Sequence, residues 1–177
     1  MEDSELRALL ERHHQAGFGW ALRCCARDPS RAEDVLQTTY LKILDGRARF
    51  DGRAEFKTWL FAVIRRTAAD DWRRSLLRAF RLVAYDPHES SPRPETGPEA
   101  MNRDESRSAL LDALRSLPKR QQEVLHLVFY EEMSIEQASE AMGVSVGSGR
   151  THYERGKQRL REIVKHVEVF NEARARG

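Results

Sequence analysis

The feature that most limits this chain is a break near its middle. Residues 86–100 read DPHESSPRPETGPEA, with four of the chain's six prolines and almost no apolar side chain. A run of that composition cannot bury enough surface to offset the entropy of ordering it, so it reads as a linker. Two modest helical cores are therefore expected rather than one large one. The 177 residues divide into a block over 1–85, an acidic linker over 86–103, a second block over 104–170 and a tail over 171–177. Charge follows the same partition: residues 1–85 carry 16 basic and 12 acidic side chains, 86–105 carry 2 and 6, and 106–177 carry 12 and 10. The net charge of +2 announces no nucleic-acid partner by itself, but two mildly basic blocks around an acidic connector leave room for one.

Neither block shows the two-residue alternation of strands and both favour helix formers, so the fold class is all-α. In the first block, Glu5–Arg27 reads as one helix ended by Asp28-Pro29. Ser30 then caps a second helix that stops before Gly46. GRARFDGR (Gly46–Arg53) is a loop, after which Phe56, Trp59, Leu60, Val63, Ile64 and Thr67 recur at helical spacing along a helix running towards Arg81. Phe56, Trp59 and Phe61 are expected in the core.

In the second block, Asp104–Ser116 is helical, and Pro118 opens another helix where its missing amide costs nothing. Val124, Leu125, Val128 and Phe129 give that helix its apolar face. Ser134-Ile-Glu-Gln137 has the form of a capping box, Gly143 suits a left-handed helix end, and Ser145 can cap the last helix. Helix, the tight turn Gly143–Ser145, then helix is the helix-turn-helix geometry, whose second helix enters the major groove. On that helix Gly149, Tyr153, Gly156, Leu160, Ile163 and Val164 share an inward face, while Arg150, Thr151, Glu154, Arg155 and Gln158 face outward. Arginine forks grip guanine edges or phosphates and threonine bonds either; Lys157, Arg159, Arg161 and Lys165 add phosphate-neutralising charge.

Other chemistry finds little footing. There is no glycine-rich phosphate loop, nucleophile motif or metal-ligand cluster, so no enzyme activity, metal or cofactor is expected. Cys24 and Cys25 are the only cysteines, adjacent to each other and about three helical turns from His13 and His14. The first 30 residues lack an apolar segment and no run of 18 apolar residues occurs, so the expectation is a cytoplasmic chain with no membrane insertion.

Two stretches carry a resemblance. LPKRQQEVLHLVFYEEMSIEQASEAMGVSVGSGRTHYERGKQRLRE (Leu117–Glu162) resembles the promoter-reading C-terminal domain of extracytoplasmic-function sigma factors. RAEDVLQTTYLKILDGRARFDGRAEFKTWLFAVIRRTAADDWRR (Arg31–Arg74) resembles the N-terminal domain of the same family. The helix-turn-helix alone leaves open a different DNA-binding regulator that uses only residues 117–165; the separate likeness of residues 31–74 stands against it.

The resemblance implies that Asp34, Gln37 and Leu41, in the AED-x-x-Q helix, bind core RNA polymerase. It implies that the loop Gly46–Arg53 and the helix after it capture and melt the −10 element, through Phe50, Arg65, Arg66, Asp70, Trp72, Arg73 and Arg74. It assigns −35 DNA to Ser148, Arg150, Thr151, Glu154, Arg155 and Lys157. An anti-sigma protein that clamps both domains is an implied partner. The linker would either thread towards the polymerase active-site cleft or act as a plain tether, and its composition fits both.

This chain also departs from the family pattern. Arg66 stands where asparagine is common. The usual G-T-V-K-S-R-L-H-R-A-R becomes Gly147-Ser-Gly-Arg-Thr-His-Tyr-Glu-Arg-Gly-Lys157. Gly149 there costs about 1 kcal/mol in helix propensity, for which a closer helix approach filled by Tyr153 is the expected reason. Glu154 implies an altered −35 preference, and Ser139 takes a place usually held by alanine.

Overall fold

A computed structural model describes residues 3–83, 114 and 116–175, and it contains seven α-helices with no strand among the described residues. The chain divides into two compact units, residues 1–95 and 96–177. The linker and most of the helix expected over Asp104–Ser116 lie outside the described residues.

The N-terminal unit begins with α1 (Asp3–Arg12) and α2 (His14–Cys24). These replace the single helix expected over Glu5–Arg27. The break is at His13, whose backbone leaves helical geometry (φ −99°, ψ 8°) while its ring stacks on Phe56 at 5.8 Å. After α2 the chain turns through two consecutive left-handed residues, Ala26 (φ 55°) and Arg27 (φ 66°). Neither is glycine, so this reversal carries strain of order 1–2 kcal/mol per residue.

Asp28, rather than Ser30, caps α3 (Pro29–Leu44): its carboxylate accepts the Arg31 amide at 3.1 Å. Pro29 is preset for the first helical position, which moves the cap one residue ahead of it. The long α4 (Phe56–Val83) then packs across α2 and α3. Its buried face is the one the spacing predicted, with Phe56, Leu60, Val63, Ile64 and Thr67 all inside, and Phe61 is buried as well. Trp59 is only half-buried. Trp20 is fully buried, stacked on Phe61 with centroids 5.7 Å apart, and its indole N–H donates to the Phe61 carbonyl at 3.0 Å. That bond satisfies the one polar atom of a large core side chain.

The C-terminal unit holds α5 (Lys119–Phe129), α6 (Ile135–Met142) and α7 (Val146–Ala175). Pro118 lies just before α5 as its cap residue. The capping box forms in both directions: the Gln137 amide donates to Ser134 Oγ at 3.1 Å, and the Ser134 amide donates to Gln137 Oε1 at 2.8 Å. Gly143 ends α6 at φ 63°, the left-handed conformation that glycine adopts without strain. Ser145 starts α7 by accepting the Ser148 amide at 3.2 Å. The helix continues to Ala175, five residues past the expected end of the domain at 170. Ser134→Ala, which removes one arm of the box, is expected to lower unfolding free energy by about 1 kcal/mol in a denaturant titration. An unchanged midpoint would mean that the cap carries no stability.

Candidate functional site

Asp34, Gln37 and Leu41 line one side of an open groove, with Thr38 between them on α3; Asp71, Arg74, Leu77 and Arg78 of α4 line the other. Leu41 is 57% exposed and Leu77 62%, with Leu44 exposed nearby. Apolar side chains held open to water beside an acid, an amide and two arginines make a surface suited to a partner helix with a charged stripe. Arg31 spans α3 and α4 to Asp71 at 2.9 Å. That hydrogen bond raises the already high pKa of the guanidinium. Arg74, expected on the −10 surface, also lines this groove.

The remaining −10 candidates do not form one free basic face. Asp70 is held by Arg73 at 2.7 Å and by Lys42 at 3.5 Å, and Lys42 also donates to Thr67 Oγ1 at 3.1 Å. Arg66 is exposed, two turns before Arg73 on the same side of α4, whereas Arg65 is half-buried. Trp72 is 56% exposed and open to stacking.

Phe50 is not open in that way. It meets Phe56 edge-on at 5.4 Å and Trp59 at 5.2 Å, so it fastens the loop to the start of α4. The loop itself turns on Gly46 (φ 71°) and Gly52 (φ 75°). Its arginines have local partners: Arg47 pairs with Asp45 at 2.7 Å, Arg49 donates to the Gly46 carbonyl at 3.2 Å, and Arg53 pairs with Asp51 at 3.3 Å.

On α7, Gly149 and Gly156 are buried, with Tyr153 half-buried between them; Arg150, Thr151, Glu154, Arg155 and Gln158 are exposed. The outward residues separate into two flanks. Arg150 reaches Glu136 of α6 at 3.5 Å, while Arg155 and Arg159 line a groove with Pro118 and Gln121 of α5. The Glu136 carboxyl sits below its usual pKa range through its own backbone amide and the Ser134 hydroxyl, helped by Arg150.

Two of the expected −35 residues serve the helix itself. Ser148 accepts the Ser145 hydroxyl at 2.9 Å, and Thr151 donates to the Gly147 carbonyl at 2.9 Å. Lys157 lies over the Tyr153 ring at 4.8 Å and near Glu154 at 3.6 Å, at the edge of the outward face. Tyr153 stacks on Phe129 at 5.9 Å rather than filling the space left by the glycines. Sequence reasoning missed Leu77, Arg78 and Lys42; the available signal was an apolar residue, Leu77, off the buried stripe of α4. Among the described residues no group of three His, Cys, Asp or Glu side chains is placed to hold a metal. No helix among them is long and apolar enough to cross a membrane.

The comparisons with known proteins bear on both units. Sigma-70 region 2 matches residues 9–91, and Sigma-70 region 4 matches residues 107–160. The RNA polymerase sigma factor CarQ of Myxococcus xanthus is 30% identical over 161 residues, covering 91% of this chain and 90% of CarQ. The ECF RNA polymerase sigma factor SigL of Mycobacterium tuberculosis is 30% identical over 155 residues, covering 86% of this chain and 85% of SigL. Among solved structures, sigma factor RpoE of Bartonella quintana, crystallised with the anti-sigma factor NepR, shares the fold at a TM-score of 0.66 and 22% identity, over 91% of this chain and 97% of RpoE. With both sigma-70 regions present in order and a CarQ likeness spanning nine-tenths of each protein, the chain belongs to the extracytoplasmic-function sigma factors of RNA polymerase.

Proposed function

We propose that this chain binds core RNA polymerase, reads the −10 and −35 elements of a particular set of promoters and initiates their transcription. The observation that carries the reading is the presence of both sigma regions, each with its own exposed polar and apolar surface. Initiation with RNA polymerase is the property of the family; the residue roles below are specific to this chain.

The α3/α4 groove with Asp34, Gln37, Leu41 and Arg74 receives the polymerase. Moving Arg74 into this set follows from its neighbours. Exposed Trp72 stacks on unpaired −10 bases, and Arg66 and Arg73 grip the adjoining backbone. The Asp70 carboxylate orients Arg73 through their 2.7 Å pair and so acts on DNA indirectly. On α7, Arg150 and Arg155 bracket the bases that Thr151 and Glu154 face. Lys157 contributes charge at the edge, and Ser148 contributes a hydroxyl beside the first turn.

The chain has no catalytic step of its own; sigma factors are regulatory. It works in the cytoplasm, where the polymerase is. An anti-sigma partner is proposed on two grounds: the family resemblance, and RpoE of Bartonella quintana having been crystallised with one.

Run-off transcription with bacterial core polymerase over a promoter library tests the reading. A promoter-dependent transcript is expected only when this protein is added; no transcript and no complex with core would overturn it. Arg150→Glu and Arg155→Glu are each expected to lower output from a −35-dependent promoter about tenfold, the scale of one lost base or phosphate contact. Output equal to wild type from both variants would refute the assigned face.

A further inference from the structure

Two departures noted separately in the sequence meet in space. A Cβ placed on Gly149 would overlap Ser139 Oγ, and it would also lie 3.0 Å from Ser139 Cβ, closer than ordinary van der Waals contact. The hydroxyl is not free to swing aside without cost, because it donates to the Ile135 carbonyl at 2.6 Å inside the unit. Two turns along the same inner face, a Cβ on Gly156 would lie 3.1 Å from Leu125 Cδ1 and 3.3 Å from Gln121 Cβ of α5. Thus α7 rests on α6 at Gly149, where a side-chain carbon would force a shift, and on α5 at Gly156, where one would fit only if Leu125 and Gln121 gave by a few tenths of an ångström.

We propose that Gly149 and Ser139 are a complementary pair that sets how deeply α7 sits against α6, and thereby the −35 sequence preference of this chain. A serine where alanine is usual and a glycine where an apolar residue is usual offset each other in volume. The side chains that face outward, Arg150, Thr151, Glu154 and Arg155, are carried on a rigid helix. Any outward shift at Gly149 therefore moves all of them together relative to α6, whose Glu136 Arg150 reaches at 3.5 Å. Base discrimination depends on reaching groove edges within hydrogen-bond distance, so a displacement of a few tenths of an ångström to an ångström changes which contacts form. Gly149 and Ser139 are positioning residues, and neither needs to touch DNA.

The proposal rests on α7 being the −35 reader. It is tested with the full chain bound to core polymerase and a promoter library randomised at the −35 element, comparing wild type with two variants. Gly149→Ala is expected to bind the preferred −35 sequence about tenfold or more weakly, the scale of one good base contact, and to reorder the ranking of −35 sequences. The exchanged pair, Ser139→Gly with Gly149→Ala, leaves the new Cβ with Ser139 Cα as its nearest contact at 3.6 Å, an ordinary separation. It also trades one glycine for another within helices, so helix propensity is nearly balanced.

That double variant is expected to restore both the affinity and the ranking. Loss of affinity in Gly149→Ala with the ranking unchanged would show a purely structural role and overturn the proposal. So would failure of the exchanged pair to recover a chain that Gly149→Ala had unfolded. A wild-type holoenzyme with no −35 dependence would defeat the promoter reading itself. A wild type that depends on −35, matched in ranking by Gly149→Ala, would defeat only the pairing.

Discussion

Trp20→Ala is expected to cost the N-terminal unit about 3–5 kcal/mol, the range for removing a large aromatic side chain from a packed core. The side chain has 0% exposure, lies nearly parallel to the Phe61 ring (7°) and closes its indole N–H onto the Phe61 carbonyl. Removing it leaves a cavity bounded by α2 and α4 and strips that carbonyl of a donor. Total domain stability is about 5–15 kcal/mol, so the loss threatens folding itself. Chemical denaturation followed by far-ultraviolet circular dichroism should show a lowered midpoint for the N-terminal unit, and promoter-dependent transcription should fall with it. Trp20→Phe keeps most of the ring and loses the hydrogen bond, so its cost should be about 1–2 kcal/mol. A Trp20→Ala chain as stable as wild type would show that the stack with Phe61 holds nothing together.

Much of this fold was legible because its signals are local. The Ser134–Gln137 box, the left-handed Gly143 and the Ser145 cap each depend on residues within four positions, and all three form as read. The apolar stripe of α4 was equally plain, since helical spacing reports burial without naming a partner. The misreadings occurred where tertiary contact or backbone strain decides. His13 breaks the first helix while its ring packs on Phe56, forty-three positions later in the chain, and no pattern within α1 or α2 records that. Ala26 and Arg27 take left-handed angles that glycine would have announced. At the cap of α3 the cue was present: Asp28 before Pro29 is a stronger start than Ser30 inside the helix.

The site was legible in its residue types and less so in its neighbours. Arginines on α4 and α7 are easy to nominate, yet what each does depends on the element across from it. Arg74 lies toward α3 and Lys157 lies over Tyr153, while Asp70 is occupied by Lys42 and Arg73. Phe50 illustrates the opposite ambiguity: an aromatic residue in a basic loop reads as a stacking platform, and the structure adds Phe56 and Trp59 packed against it. Gly149 and Ser139 were each visible as oddities, and only the structure brings them together.

Leu41→Arg is expected to weaken binding to core polymerase by about 30-fold or more, the scale of a hot spot at 2 kcal/mol. Leu41 is exposed in a groove whose other wall brings Arg74 and Arg78, so an added guanidinium replaces an apolar contact with a third positive charge. The partner surface that suits Asp34 and Gln37 is itself rich in donors, and the new charge would repel it. Because the side chain already faces water, the substitution should shift stability by no more than about 0.5 kcal/mol. A fluorescence-anisotropy titration of labelled protein with core enzyme measures the affinity, and circular dichroism confirms that the fold persists. Asp34→Ala and Gln37→Ala, which remove polar contacts without adding repulsion, should weaken binding less. Arg150→Glu should leave core affinity at the wild-type level while lowering promoter output, since the groove and α7 belong to different units. Core binding by Leu41→Arg at the wild-type level would remove the α3/α4 groove as the polymerase surface. A loss shared equally by Arg150→Glu would mean that polymerase binding is not confined to that groove.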